Sequence, residues 1–436
     1  MALMLIIADD LTGAADCGVA CAGHGLHTMV VLGNAASDVH ADALSVDGDT
    51  RRLAPKEAAS ETARLLGKYL RDDGMLLYKK LDSTLRGNVG EELAAILAAR
   101  RTSAGTHERI VVVLAPAFPA VGRTTLGGRQ LIDSKALDGS LKLPDDFLPA
   151  RSDIAAMLRA SHLLPELLPL DLIRGKCAAL SNAMQAIAQY ADVLVCDAET
   201  EDDLRRIAEA SMVLGRRTVW AGSAGLARHL PSAGGLSRAP LTRSTPPSAV
   251  GPALFVIGSG SAVSREQAER LASRSNTIMI RISPEVLIAD EQSRQRRAYE
   301  LETGRALTAG RDVAVFPDSA VLLDASMRPL LTAALAALVQ PFADKVGALV
   351  VTGGETARTV LQAWGITRLQ LVDEVEVGLP LSVTSGWGRE LSVVTKAGGF
   401  GGPDSLLRCL ELLRVLDRGE SSPPGLCRGT QFRGRE

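Results

Sequence analysis

The chain has 436 residues, more than one hydrophobic core usually holds, and this length predicts two domains. A formal net charge of -2 provides no basic surface for nucleic acid, and an aromatic content of 3% argues against a surface that stacks bases. The apolar opening run ends at Asp9 and Asp10, which is too short for a signal peptide, and no segment has the pattern of a membrane span, so we expect a cytoplasmic protein.

Short apolar runs alternate with Ala- and Leu-rich helical stretches along the whole chain. The runs begin near residues 3, 28, 75, 109, 192, 217, 253, 312 and 347. This alternation predicts an α/β fold with largely parallel sheets flanked by helices. Many runs end abruptly at Asp, Ser, Thr or Gly, where open α/β sheets bind ligands. We therefore expect two such domains, with the active site in the cleft between them.

A stretch rich in Ser, Pro and Gly near residues 232–252 lacks apolar periodicity and predicts the domain boundary. The expected organisation is an N-terminal domain over 1–232, a linker over 233–252 and a C-terminal domain over 253–416. The polar segment 417–436 is expected to be a disordered tail.

The first polar motif is ADDLTGAAD, residues 8–16. A strand delivers Asp9 and Asp10 to its carboxyl end, and Thr12 and Gly13 then open a helix. Two acids in this position suit a hydroxyl-activating base or a magnesium ligand. The simpler interpretation is that one Asp caps the helix.

The second motif, KKLDSTLRGNVGEE at residues 79–92, concentrates charged and hydroxyl side chains directly after a predicted strand. Such a set suits a ligand with a carboxylate and several hydroxyls, although Ser, Thr and Asp also cap helices. The polar residues are Lys79, Lys80, Asp82, Ser83, Thr84, Arg86 and Asn88. The third stretch covers residues 115–131 and has two interpretations. Either Arg123, Thr124 and Thr125 bind an anion, or Pro116 and Pro119 simply shape a rigid loop.

Glycine-rich turns follow predicted strands at 221–227, 258–264 and 352–365, and the segment KAGGFG occupies 396–401. Glycine lets the backbone approach phosphate oxygens, and the helix that follows supplies N–H donors. The turns in the second half of the chain therefore predict a nucleotide-phosphate site. The P-loop pattern GxxxxGK[ST] is absent from the sequence, and no GxGxxG opens the first βα unit.

In their order and spacing these motifs resemble those of the four-carbon acid sugar kinase family, long catalogued as a domain of unknown function. The resemblance covers about residues 3–412. The segments that match the family pattern are Ala8–Asp16, loosely Asp49–Arg51, then Lys79–Asn88, Pro116–Arg123, Gly258–Ser261, Gly353–Ala357, Gly378–Gly386 and Lys396–Gly401.

The resemblance implies a kinase that uses ATP and Mg²⁺ to phosphorylate the terminal hydroxyl of a tetronate-type acid. The full KKLDSTLRGN motif is similar to that of D-threonate and D-erythronate kinases. By this resemblance the acid contacts Asp10, Arg51, Lys80, Asp82, Ser83, Thr84 and Arg86. ATP contacts Ser259, Gly353, Gly354, Glu355, Thr356, Gly398 and Gly399.

Some assignments stay open at this point. Arg52 follows Arg51 and is an alternative to it, and the ligands of Mg²⁺ are not identified. We expect Asp10 to accept the proton of the substrate hydroxyl, with Asp9 as the alternative base. The sequence is compatible with a homo-oligomer.

Three other functions remain to be separated from this one. One is a kinase of 3-oxo-tetronate or another polyhydroxy acid. The second is a nicotinamide-dependent dehydrogenase of a sugar acid, and the third is a non-catalytic sensor of such acids.

Overall fold

The computed structural model describes residues 2–33, 35, 39–71, 74–104, 109–136, 152–239, 250–288, 293–318 and 327–418. The chain divides into two compact units, unit 1 from Met1 to Leu241 and unit 2 from Thr242 to Glu436. Each unit is a mostly parallel sheet with flanking helices, which confirms the predicted two-domain α/β fold. Residues 240–249 of the predicted linker and 419–436 of the predicted tail lie outside the described residues.

Unit 1 is built from eleven strands and nine α-helices within its described residues. The strands are β1 (Met4–Ala8), β2 (Thr28–Leu32), β3 (Ala43–Asp47), β4 (Leu76–Lys80), β5 (Val111–Ala115), β6 (Arg123–Leu126), β7 (Arg129–Ile132), β8 (Lys135–Ala136), β9 (Pro165–Leu168), β10 (Val193–Cys196) and β11 (Thr218–Gly222). The helices are α1 (Leu11–Gly23), α2 (Pro55–Tyr69), α3 (Val89–Ala104), α4 (Ile154–Ala160), α5 (Leu170–Ile173), α6 (Cys177–Ile187), α7 (Glu201–Ser211), α8 (Ala224–Ala227) and α9 (Leu230–Ala233).

The main sheet of unit 1 has the strand order β2-β3-β1-β4-β11-β5-β10-β9, and its neighbouring strands pair in parallel. The order reverses at β1, because β2 and β3 lie on one side of it and β4 on the other. Such a reversal opens a crevice at the carboxyl ends of the strands. β6, β7 and β8 form a separate antiparallel sheet.

The six strands predicted in unit 1 are confirmed, but the apolar pattern does not predict β3 or β6–β9. Of these, β3 lies beside β1 at the centre of the polar motifs. Its sequence ALSVD holds a polar residue at the centre of a short apolar run. Ser45 is nevertheless fully buried, because its hydroxyl donates a hydrogen bond to the Ala14 carbonyl at 2.7 Å. A helix-to-strand contact of this kind satisfies a buried hydroxyl and leaves no signal in the local sequence pattern.

Unit 2 has seven strands and six α-helices within its described residues. The strands are β12 (Ala253–Ile257), β13 (Ile278–Ile282), β14 (Val313–Pro317), β15 (Ala348–Thr352), β16 (Arg368–Glu374), β17 (Pro380–Thr384) and β18 (Ser392–Lys396). The helices are α10 (Ala262–Arg274), α11 (Pro284–Ile288), α12 (Arg294–Thr308), α13 (Arg328–Val339), α14 (Gly354–Ala363) and α15 (Ser405–Asp417). Short 3₁₀ helices cover Pro119–Val121 and Met212–Arg217 in unit 1 and Gln340–Lys345 in unit 2.

The sheet of unit 2 has the strand order β13-β14-β12-β15-β18-β17-β16. The strands from β13 to β18 in this order pair in parallel, whereas β17 is antiparallel to both β18 and β16. Its core packs α10 and α15 side chains against the sheet. Across the described ranges of both units, no helix is long and apolar enough to cross a membrane.

The two lysines at the end of β4 point to opposite faces of the sheet, as the period of a strand requires. Lys79 faces α3, where its Nζ lies 3.2 Å from Glu92 Oε2, and both side chains are almost completely buried. The hydroxyls of Thr50 and Thr62 donate to Oε1 of the same carboxylate. The Lys79–Glu92 ion pair therefore fixes α3 to the sheet.

Removing the cation of this pair should be strongly destabilising. Lys79→Met leaves the Glu92 carboxylate buried without its partner, and we expect the free energy of unfolding in urea to fall by about 3–5 kcal/mol. The matched double variant Lys79→Met/Glu92→Gln places a neutral amide there, whose oxygen still accepts from both threonines, and should recover part of the loss. A single variant as stable as the wild type would contradict a structural role for the pair.

Candidate functional site

Three strand ends meet level with one another in the crevice of unit 1. Ala8, the last residue of β1, pairs with Asp47 at the end of β3 and with Lys80 at the end of β4. The first sequence motif follows the end of β1, the second follows the end of β4, and residues 49–51 follow the end of β3. The fold thus places residues from 9–13, 49–51 and 80–86 beside one another.

Arg51 is the centre of this group. Its Nε and Nη2 donate to the two oxygens of Asp9 at 2.7 and 3.0 Å, and its Nη1 donates to Asp10 Oδ2 at 2.9 Å. Its Nη2 also lies 3.7 Å from Asp82 Oδ1. We call Asp9, Asp10, Arg51 and Asp82 the arginine cluster. One planar guanidinium thereby holds carboxylates from two different strand ends.

The backbone presents Arg51 to these acids through a tight turn after β3. Asp49 adopts a left-handed conformation with a φ of 51°, and its amide donates to Asp47 Oδ1 at 3.0 Å. The amides of Thr50 and Arg51 then donate to the Asp9 carbonyl at 3.1 and 3.3 Å. The neighbouring Arg52 is exposed, so Arg51 is the arginine of this segment that lies in the cluster.

Asp10 is both the N-cap of α1 and a member of the arginine cluster. Its Oδ1 accepts from the Gly13 amide at 2.9 Å, and its Oδ2 accepts from the Thr12 hydroxyl at 2.7 Å. Burial alone would raise the pKa of Asp10, but the charges of Arg51 and Lys80 and the Thr12 hydroxyl together hold it below its ordinary value. The Asp10 side chain is 16% exposed, whereas that of Asp9 is 2% exposed. Asp10 is therefore the more accessible of the two acids.

Asp82 organises the turn that follows β4. Arg86 Nε and Nη2 donate to its two oxygens at 2.7 and 2.9 Å, and the Thr84 hydroxyl and amide also donate to it. Leu85 and Gly87 both have positive φ values, 57° and 91°, which bend the chain back. Burial opposes ionisation, yet Arg86 and Arg51 hold the pKa of Asp82 well below its usual range. The Asp82 carboxylate and the Arg86 guanidinium thus form an ion pair within this turn.

Lys80 is the cation of this site whose donors are not used by carboxylates. It is 5% exposed, and its Nζ makes no hydrogen bond or ion pair with the residues that the structure describes. Burial lowers the pKa of Lys80, but Asp9, Cys17 and Asp10 outweigh it and the pKa is raised. A Cβ atom at Gly13 would lie 2.6 Å from this Nζ and 2.7 Å from Asp10 Oδ1. Glycine at this position therefore lets the ammonium and the carboxylate approach the start of α1.

Three other residues of the motifs make their contacts outside the arginine cluster. Lys79 lies on the opposite face of the sheet, in its ion pair with Glu92. Asn88 donates from Nδ2 to the carbonyls of Thr50 and Leu53 at 3.2 and 3.0 Å, and so braces the turn that presents Arg51. Ser83 is buried, and its carbonyl accepts from Gln130 Nε2 at 2.8 Å.

Arg123 lies near the turn of Asp82. It is half-buried, and burial lowers its pKa. The charge of Arg86 also lowers this pKa, and the charge of Asp82 opposes the change. Its Nη1 donates to the Val121 carbonyl at 2.6 Å, while its buried Nε has no hydrogen-bond partner among the described residues.

A second set of level strand ends lies in unit 2. Thr352 at the end of β15 pairs with Ile257 of β12 and with Lys396 of β18. The glycine-rich turns 258–261, 353–356 and 397–400 follow these ends. A Cβ atom at Gly258 would collide with the Thr356 side chain, and one at Gly398 would collide with the Ser259 hydroxyl. Glycine is therefore required for the three turns to pack against one another.

The turns of unit 2 lead into two helices whose first amides face the same end of the sheet. Ser261 caps α10 by accepting from the Ser264 amide at 3.1 Å, and Gly353 caps α14 with a φ of 94°. Helix N-termini and glycine turns favour phosphate oxygens. Gly353, Gly354 and Glu355 are half-buried at the start of α14, whereas Thr356 is buried. Thr356 is 3% exposed because its side chain packs beside Gly258.

The residues that hold the loop 397–402 are not among those predicted from the sequence. The fully buried Lys396 donates to carbonyls of this loop, and Ser261, Ser264 and Gln267 on α10 do the same. The lysine of the KAGGFG segment was the available signal. No group of three His, Cys, Asp or Glu side chains able to hold a metal ion is found in the described ranges.

Comparison with known proteins identifies both units. Residues 4–230 match the family described as "Sugar-binding N-terminal domain", and residues 254–406 match the family described as "Nucleotide-binding C-terminal domain". The chain is 40% identical over 410 residues to a protein of Cupriavidus necator named D-threonate kinase, covering 92% of this chain and 96% of that protein. It is 28% identical to a Heliobacterium modesticaldum protein named D-erythronate kinase, covering 97% of this chain and 100% of that protein.

A solved structure supports the fold. A Haemophilus influenzae protein of the DUF1537 family superposes with a TM-score of 0.70 at 21% identity, covering 94% of this chain and 100% of that one. Kinase relatives that match nearly the whole chain, together with a nucleotide-binding second domain, favour the kinase over the dehydrogenase and the sensor considered from the sequence. The chain therefore belongs to the four-carbon acid sugar kinase family and is an ATP-dependent phosphotransferase with an N-terminal sugar-binding and a C-terminal nucleotide-binding domain.

Proposed function

We propose that this enzyme uses cytoplasmic ATP to phosphorylate the terminal 4-hydroxyl of a four-carbon sugar acid, with D-threonate as the first choice and D-erythronate as the second. The observation that supports this most directly is the buried Lys80 ammonium beside Asp10, with Arg51 and Arg86 already engaged by carboxylates. A ligand with a carboxylate and adjacent hydroxyls complements a free ammonium next to a hydrogen-bond acceptor. The relative that is 40% identical is named a D-threonate kinase, which favours that acid.

In this proposal the residues of unit 1 divide into ligands and supports. The acid carboxylate binds Lys80, and the hydroxyls of Ser83 and Thr84 bind the hydroxyls of the acid. Arg51 and Asp82 support the site, because Arg51 holds Asp9 and Asp10 and Asp82 holds Arg86. Their contribution is to keep the reacting groups in a fixed geometry, which accounts for much of the rate in phosphoryl transfer.

Asp10 is the proposed acceptor of the substrate proton. A carboxylate offers about four lone-pair positions, and three of those on Asp10 are used by Thr12, Gly13 and Arg51. The remaining position is available to the 4-hydroxyl. As the hydroxyl oxygen bonds to the γ-phosphorus, its proton passes to Asp10 and the bond from that phosphorus to the bridging oxygen of ADP breaks. The low pKa of Asp10 makes it a weak base, and this suits a loose transition state in which the proton leaves late.

ATP is proposed to bind unit 2 at the turns 258–261, 353–356 and 397–400. Ser259, Gly353, Gly354, Glu355, Thr356, Gly398 and Gly399 contribute to this site. No atom lies within 4 Å of a Cβ built on Gly399, so a phosphate can approach that backbone closely. Mg²⁺ is usually held by phosphates, waters and only one or two carboxylates, and Glu355 is the carboxylate at these turns that fits such a role. When bound, Mg²⁺ would neutralise phosphate charge.

A screen of acids tests the substrate class. With ATP and Mg²⁺, we expect ADP release with D-threonate or D-erythronate, the larger kcat/KM with D-threonate, and the product phosphorylated at the 4-hydroxyl by NMR. Addition of a chelator should abolish turnover. Turnover of 3-oxo-tetronate in preference to both would favour the alternative within the family, and no ADP release with any four-carbon acid would contradict the proposal.

The variant Asp10→Asn tests the proton acceptor. The amide keeps the size of the side chain and can still cap α1, but it cannot take up the proton. We expect kcat to fall by about 10² to 10⁴ while ATP affinity stays unchanged. A rise in KM for the acid with kcat retained would instead assign Asp10 to binding alone.

The matched control for this measurement is Thr12→Val, which removes one hydrogen bond to Asp10 and leaves the carboxylate in place. It should lower kcat much less than Asp10→Asn does. Wild-type kinetics in Asp10→Asn would remove Asp10 from the reaction.

A further inference from the structure

Lys396 is the last residue of β18 and is fully buried at the base of the proposed ATP site. Its Nζ donates to the carbonyls of Ala397, Gly398 and Phe400 at 3.0, 3.1 and 3.0 Å. An ammonium has three N–H donors, and these three carbonyls match them in number, while Ser264 Oγ lies farther from the Nζ, at 3.5 Å. A lysine placed to contact phosphate would keep donors directed outward, so this geometry differs from that of a phosphate ligand.

The main chain of the same residue holds a second turn. The Lys396 carbonyl accepts from the Gly353 amide at 2.8 Å, at the point where Gly353 opens α14. Lys396 is thus bonded through its side chain to the loop 397–402 and through its backbone to the turn 353–356. Both segments hold residues proposed to contact ATP.

Helix α10 strengthens this arrangement from the other side of the loop. The hydroxyls of Ser261 and Ser264 donate to the Gly398 carbonyl at 2.7 and 2.9 Å. Gln267 Nε2 donates to the carbonyls of Phe400 and Gly402 at 3.1 and 2.8 Å. The carbonyls of Gly398 and Phe400 are therefore held by both Lys396 and α10, whereas no atom lies within 4 Å of a Cβ built on Gly399, the residue between them.

We propose that Lys396 is a positioning residue for ATP, which acts by fixing the glycine-rich loop 397–402 and does not itself bind the phosphates. The inference rests on the proposed ATP site, and it assigns to Lys396 a role distinct from that of Lys80 in unit 1. Loss of the ammonium would remove a charged donor from each of three loop carbonyls, and this would disfavour the loop conformation that binds ATP.

The protonation state of Lys396 gives this role a pH dependence. Burial lowers the pKa of Lys396 to about 8, against the opposing influence of Cys409 on α15 and Glu376 in the β16–β17 loop. Burial raises the pKa of Cys409 to about 12, and Glu376 is ion-paired with Arg408 at 2.5 Å. The remaining neighbours on α10, Ser264 and Gln267, carry no charge. Lys396 is therefore charged below pH 8 and loses one donor above it, so ATP affinity should fall as the pH rises through this value.

The experiment compares the full-length wild type with Lys396→Met and Ser264→Ala. Lys345→Met makes the same chemical change at an exposed lysine of unit 2 and is the matched control. Two quantities are measured without any sugar acid: the Kd of Mg·ATP by calorimetry at pH 7.5, and hydrogen exchange of a peptide covering 397–402 in the ligand-free protein.

For Lys396→Met we expect a Kd about 10- to 100-fold higher and faster exchange in the loop before ATP is added, because three loop carbonyls each lose their charged donor. Ser264→Ala leaves the Gly398 carbonyl with two donors and should show the same changes at about 2- to 5-fold. Lys345→Met should match the wild type. In the wild type the Kd should rise between pH 7.5 and 9.5, and this rise should be absent in Lys396→Met.

Two results would overturn the inference. A higher Kd with unchanged loop exchange would make Lys396 a direct phosphate ligand, and an unchanged Kd would confine it to the stability of the fold. If Lys396→Met does not fold, Ser264→Ala and the pH series of the wild type test the inference. A wild-type Kd and wild-type loop exchange in Ser264→Ala, together with a wild-type Kd that does not rise between pH 7.5 and 9.5, would overturn it. Because no acid is present, these results do not depend on the identity of the acid substrate.

Discussion

The attraction between one arginine and three carboxylates organises the sugar-binding unit. Asp9 and Asp10 follow β1 and Asp82 follows β4, so three acids are brought together where their mutual repulsion would otherwise separate them. Arg51 offsets that repulsion with a bidentate contact to Asp9 and a further bond to Asp10. Arg86 meets Asp82 from its own turn. With its acids satisfied in this way, the site retains Lys80 as a charged donor and Asp10 as an accessible acceptor.

In our proposal the two units use a lysine at the end of a central strand for different purposes. Lys80 ends β4 and Lys396 ends β18, and both are nearly or fully buried. Carboxylates near Lys80 raise its pKa, and its Nζ makes no hydrogen bond with the described residues. The ammonium therefore suits an anionic ligand. Around Lys396 the neighbours are backbone carbonyls, so burial lowers its pKa and every donor is engaged. We therefore propose opposite roles for the two lysines from their surroundings and not from their position at a strand end.

The sequence was sufficient for the fold class and for the segments 9–13 and 80–86, because polar residues directly after predicted parallel strands must gather at one edge. The segment 49–51 follows β3, which the apolar pattern does not predict, and only the family resemblance identifies it. It was insufficient where a role depends on a distant partner. Lys79 and Lys80 are adjacent in one motif, yet the alternation of the strand sends Lys79 to Glu92 on α3. Asp9 was treated as an alternative to Asp10, whereas its two oxygens are bound by Arg51. The bonds from Ser261, Ser264 and Gln267 to a loop more than 130 residues away have no local signal. The cleft between the domains and the oligomeric state stay predictions.

The most direct test of this account is the kinetic effect of Arg51→Lys. A lysine keeps the positive charge, but it cannot make the planar bidentate contact with Asp9 while also holding Asp10. With lost charge-assisted hydrogen bonds contributing about 1.5–3 kcal/mol each, we predict that kcat/KM for the sugar acid falls by about 100-fold or more, while the Kd of Mg·ATP remains that of the wild type. A folded Arg51→Lys enzyme with kcat/KM close to the wild-type value would contradict the central place given to Arg51, as would an equal loss of ATP affinity.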